Sequence, residues 1–80
     1  MTHELKILPE NYEAVMYGIQ TFDGRKNDRG FQLGDYIKYK ECTRKSFTGR
    51  ELMVEVTFIA IDAPTFGLKM GYCAIGFKLC

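Results

Sequence analysis

Leu52, Val54, Val56 and Phe58 alternate with Met53, Glu55 and Thr57, and the same two-residue period recurs at Leu5 and Ile7, at Ile37 and Tyr39, and at Cys73, Ile75, Phe77 and Leu79. That period belongs to strands with one face buried and the other wet. Only one stretch has the period of a helix. Pro9 suits its first position, Glu10 complements its positive start, and Tyr12, Val15, Met16 and Ile19 fall on one face. Gly18 is suited to end it. Gln20 to Arg25 adds a short further strand, interrupted by Gly24, and Lys26 to Gly30 is a tight polar loop. Gly34-Asp35 turns into the strand Tyr36 to Lys40, Glu41 to Arg50 is a polar connection, and Asp62 to Gly67 is a loop. Five strands with one helix after the first exclude a doubly wound sheet, which needs a helix after nearly every strand. The expected fold is α+β, a small, mostly antiparallel β-barrel with the helix plugging one end.

Eighty residues suffice for one core, so residues 1–80 are expected to form a single domain. The composition, 46% hydrophobic and 26% charged, is too apolar for disorder and too interrupted by charge for a membrane span. The first residues, Met1 to Lys6, lack the apolar stretch of a secretory signal, and a cytoplasmic location with no membrane partner is expected. Cys42, Cys73 and Cys80 make an odd, widely spaced set that implies no disulfide framework; Cys73 has the setting of a buried small hydrophobe and Cys80 of an exposed thiol. With His3 the only histidine, neither a cysteine nucleophile with its base nor a metal-ligand set is expected. No glycine-rich phosphate loop opens the helix, so no cofactor is expected.

The net charge of +1 hides a division. Between Arg25 and Arg50 eight cationic residues (Arg25, Lys26, Arg29, Lys38, Lys40, Arg44, Lys45 and Arg50) stand against three acids, giving +5, while the remainder carries −4. A concentrated basic segment in a near-neutral protein suits an anionic partner such as nucleic acid phosphate. The plainer reading is a solvated surface whose lysines keep strand edges unpaired.

The stretch Gly18 to Asp35, with Thr21-Phe22, Arg25-Lys26-Asn27-Asp28-Arg29 and Gly34-Asp35, resembles the activating signal cointegrator homology (ASCH) group of the PUA-like superfamily, and within it a small bacterial and phage family. The resemblance extends over His3 to Ile7 with Pro9, Thr48 to Glu51, Gly67 to Lys69 and Gly71-Tyr72. It implies a PUA-like barrel with a cleft that binds RNA or a nucleotide-like anionic ligand. The residues expected at that ligand are His3, Lys6, Thr21, Asp23, Arg25, Lys26, Asn27 and Arg29. The guanidinium forks of Arg25 and Arg29 can grip phosphate bidentately, Lys26 adds a point charge, and Asn27 can read a base edge. Against this, Asp28 could simply pair with an arginine and Asn27 serve the turn. Phe22, Phe31, Tyr36 and Tyr39 neighbour the basic residues; an exposed one could stack on a base, though most suit the core.

Some ASCH relatives are amidohydrolases acting on acylated cytidine nucleosides, with a lysine before the position of Thr21, a threonine two residues on and a later glutamate. Here Gln20 and Asp23 occupy the first two places, and an amide cannot act as an amine base. A binding role without catalysis is therefore expected. Nucleoside amidohydrolase and interaction module of a phage or mobile element stand as the alternatives.

Overall fold

The computed structural model describes residues 1–61, 67 and 69–80. The predicted loop at Asp62 to Phe66, and Leu68 of the family pattern, lie outside the described residues. Among the described residues six elements follow in order: β1 (Thr2–Ile7), α1 (Pro9–Met16), β2 (Phe22–Lys26), β3 (Tyr36–Cys42), β4 (Phe47–Ile61) and β5 (Tyr72–Leu79). The strands form one sheet in the order β1-β3-β4-β5-β2. Among the described residues only the β1–β3 pair is parallel. The expected five strands with one helix after the first are present, but the barrel is not closed. Its end strands β1 and β2 are not paired with each other, so the sheet is a half-barrel with an open seam.

Leu5, Ile7, Ile37, Tyr39, Val54, Val56, Cys73, Ile75 and Phe77 fill the concave side, each in the phase its strand period predicts. Tyr12 and Val15 of α1 and Phe31 of the loop before β3 complete this core. Burying such side chains contributes about 1.5–3 kcal/mol each before the entropy of ordering them is subtracted. Pro9 stands in the first turn of α1 and Glu10 beside its positive end, as expected. The helix is a turn shorter than its apolar spacing suggested. It ends at Met16, and Gly18 donates back to the Val15 carbonyl. Ile19, beyond the helix, is 80% exposed and Met16 is also outside the core.

Two irregularities revise the predicted β4. Val56 pairs with Phe77 but Phe58 with Gly76, so β4 carries one extra residue there and its phase reverses. Phe58, predicted on the buried face, lies outside; a Cβ added to Gly76 would stand 3.1 Å from the Phe58 Cβ, so glycine permits this approach. The second shift lies between Lys40 and Cys42, whose partners are Glu51 and Phe47. Residues predicted as a polar connection are thus already strand. Leu79, also expected inside, is exposed near the end of β5.

A candidate ligand cleft at the open seam

The register of β2 on β5 sets the site. Asp23 pairs with Ile75 and Arg25 with Cys73, both core-facing, so Asp23 and Arg25 turn their side chains to the concave side. There they meet Tyr39, the only polar-tipped side chain in the core phase of β3 besides Glu41. The Tyr39 hydroxyl donates to Asp23 Oδ2 at 2.7 Å, and Arg25 Nε donates to the same oxygen at 3.1 Å. Burial, reinforced by the Asp23 charge, pushes the Tyr39 hydroxyl far above its usual range, so it remains a donor. Asp23 Oδ1 has no partner among the described residues.

These three residues line a cleft of about 180 Å³, with Lys6, Ile7 and Leu8 at the end of β1 and Asn11 and Gln20 on its other wall. Asn11 Nδ2 donates to Gln20 Oε1 at 3.0 Å, and Gln20 Nε2 donates to the Phe22 carbonyl at 2.8 Å, so the two amides hold each other in place. The cleft therefore offers one fixed carboxylate acceptor, the free donors of Arg25, the Lys6 ammonium and an apolar wall of Ile7 and Leu8. Such a set can bind a polar, partly anionic molecule with an amino group for Asp23 and oxygens for Arg25 and Lys6.

The structure brings together Lys6, Asp23 and Arg25 of the eight predicted site residues, and places the other five elsewhere. His3 is buried beneath Phe31, ring centroids 4.7 Å apart, and its Nε2 bonds Asp35 Oδ2 at 2.8 Å. Thr21 uses its backbone, its carbonyl accepting from the Phe77 amide, while its side chain is exposed. Lys26 is exposed opposite Tyr72 at the end of β2. Asn27 closes the turn through its backbone amide, which donates to the Gly71 carbonyl. Arg29 lies along β1, donating to the Glu4 carbonyl at 3.2 Å, with Asp28 at 4.0 Å.

Asn11, Gln20 and Tyr39 were not among the predicted site residues. Gln20 stands where the resemblance puts the lysine of the amidohydrolases, and its amide argued there against a role; Tyr39 was named only among rings that suit stacking or the core, and Asn11 lay within a helix pattern. Phe31 and Tyr39 are core, whereas Phe22 and Tyr36 are exposed. Among the described residues no group of His, Cys, Asp and Glu is arranged to hold a metal ion, and no helix is long and apolar enough to cross a membrane.

The family model described as a domain of unknown function (DUF3850) matches residues 2–77. A curated relative, an uncharacterized 12.9 kDa protein in the GpA 3′ region of Escherichia phage P2, is 31% identical over 55 residues, covering 69% of this chain. The chain spans about half the length of that relative, 50%. Among solved structures, the crystal structure of hypothetical protein PH0355 matches with a TM-score of 0.71 over 100% of both chains at 19% identity, a likeness of fold.

Proposed function

The chain belongs to the DUF3850 family, and from the cleft at its seam we propose that it binds a nucleotide, free or as part of an RNA, without catalysing a reaction. The observation that carries this is Asp23, oriented by Tyr39 and Arg25 with one oxygen left for a ligand. A carboxylate in that position accepts from an exocyclic amino group of a base, while Arg25 and Lys6 meet carbonyl or phosphate oxygens. Pockets for drug-sized molecules start near ~300 Å³, so a cleft of about 180 Å³ suits a single heterocycle. The finer fold reading, a PUA-like barrel of the ASCH group, belongs to the same proposal; the meeting of Lys6, Asp23 and Arg25 in one cleft supports it.

Calorimetric titration with CMP, UMP, AMP and GMP tests the reading. Arg25→Ala is expected to weaken binding by about 1–3 kcal/mol. Asp23→Asn should weaken the amino-bearing nucleotides more than UMP, because it removes the acceptor charge but keeps the shape. If none of the four binds at millimolar concentration, and single-stranded RNA does not either, the proposal is wrong. Release of cytidine from N4-acetylcytidine would favour the hydrolase reading instead, with Asp23 rather than Gln20 as the group able to take a proton.

A further inference from the structure

The wet face of the sheet carries a second constellation around the tip of the β3–β4 hairpin. Phe47 is 51% exposed, with Lys40 Nζ 5.2 Å and Lys6 Nζ 5.9 Å from its ring centroid, within cation–π range. Two hollows meet at this ring. One, of about 240 Å³, lies among Lys6, Arg44, Lys45 and Phe47, and the other, of about 150 Å³, among Glu4, Lys6, Lys40 and Phe47. The turn beneath is fixed, since Thr43 Oγ1 accepts from the Lys45 and Ser46 amides and the Thr43 amide donates to the Ser46 carbonyl.

The fold compensates these charges only in part. Lys6 and Lys40 are direct register partners across β1 and β3, an arrangement in which like charges oppose pairing. Among the described residues Glu4, 3.7 Å from Lys40, is the one carboxylate within ion-pair distance of these four cations, and Glu51 stands opposite Lys40 in the β3–β4 register. Lys6, Arg44 and Lys45 have no ion-pair partner among the described residues. An anion at this place would relieve the repulsion, and the half-exposed ring selects an anion that also has a flat apolar face. Lys6 lines the cleft as well as both hollows, so the two regions join around the free edge of β1.

We infer that Phe47, with Lys6, Lys40, Arg44 and Lys45, is a stacking platform for a single strand of nucleic acid that continues out of the cleft. One base stacks on the Phe47 ring and the flanking phosphates meet the cations, the way sequence-tolerant single-strand sites are built. The inference rests on the nucleotide reading of the cleft and deepens it: the ligand is a strand, with one nucleotide in the cleft and another on Phe47.

The test compares CMP by calorimetry with fluorescein-labelled (rC)10 and (dC)10 by anisotropy, on the wild type, Phe47→Leu and the double variant Arg44→Ala/Lys45→Ala. The expected result is (rC)10 or (dC)10 bound more tightly than CMP, an affinity about tenfold lower in Phe47→Leu, and CMP unaffected by that change. The double variant should lower the slope of log K against log salt by about 1.4. Recovery in Phe47→Trp marks stacking rather than damage to the hairpin, and the pair of oligonucleotides tells which sugar is preferred. Wild-type affinity for both strands in Phe47→Leu, or CMP binding with no gain on going to a strand, overturns the platform and leaves the cleft reading standing. Absence of binding by CMP and both strands overturns both; loss of CMP in Arg25→Ala with strand binding still dependent on Phe47 upholds both.

Discussion

Asp35 shows how one buried carboxylate can decide acid stability. His3 Nε2 lies at 2.8 Å and the Gln32 amide donates at 3.1 Å, both to Oδ2. An ionised carboxylate only accepts, so His3 Nε2 carries the proton in that pair. The bond from His3 is the largest cause holding the Asp35 carboxyl below the usual range; burial works against it and the Gln32 amide adds to it. A carboxyl whose pKa is lower folded than unfolded contributes stability above its unfolded value, ~3.9, and loses it as pH falls through the folded one. Asp35→Asn is therefore expected to lower Tm at neutral pH and to flatten the fall in Tm on going from about pH 5 to pH 2, read by thermal unfolding across that range. An acid limb as steep as the wild type's would show that other carboxylates set it. Glu41, 2% exposed at its side chain and held low by Arg50 and Thr48, loses its contribution in the same direction. His3 was legible as a core residue, because it shares the period of Leu5 and Ile7. Its place in a ligand pattern had obscured that plainer signal.

At the scale of elements, the irregularity at the start of β4 explains why Glu41 can be buried at all. The shift in register loops Thr48 to Arg50 over the end of β3 and delivers three donors to one carboxylate: Thr48 Oγ1 at 2.6 Å, Arg50 Nε at 2.8 Å and an Arg50 terminal nitrogen at 2.6 Å. Arg50 also reaches Glu13 at 3.2 Å and stacks over Tyr12 at 4.3 Å, tying the hairpin to α1. Gly49, between the two donors, has φ +94°, a conformation side chains resist. Gly49→Ala is expected to cost about 1–2 kcal/mol in urea unfolding. Gly24→Ala in β2, where φ is not positive and an added Cβ meets nothing within 4 Å, should be neutral or stabilising by up to about 1 kcal/mol. Equal costs at the two glycines would remove the strain argument. The regular parts of the strands were legible because alternation and burial coincide. The bulges were not: an extra residue reverses the phase, so Phe47 was hidden in an apparent polar connection and Phe58 was assigned to the wrong face.

On the whole molecule, the segment of charge +5 between Arg25 and Arg50 does not act as one patch. The sheet sends Arg25 to Asp23 in the cleft, Arg50 to Glu41 and Glu13, and Lys40, Arg44 and Lys45 to the hairpin with Lys6, a residue from outside the segment. If those last four neutralise strand phosphates, log K should fall against log salt with a slope near −3, measured by anisotropy over a salt series. A slope near zero would mean that the cations stay solvated when the strand binds. The elements, their one-sided burial and the presence of a basic segment were determined by local sequence, since period and composition act over a few residues. The open seam, the convergence of Asp23, Arg25 and Tyr39, and the company Phe47 keeps were decided only by strand order and register. Those depend on which distant edges pair, and a shift of one residue moves every side chain to the other face of the sheet.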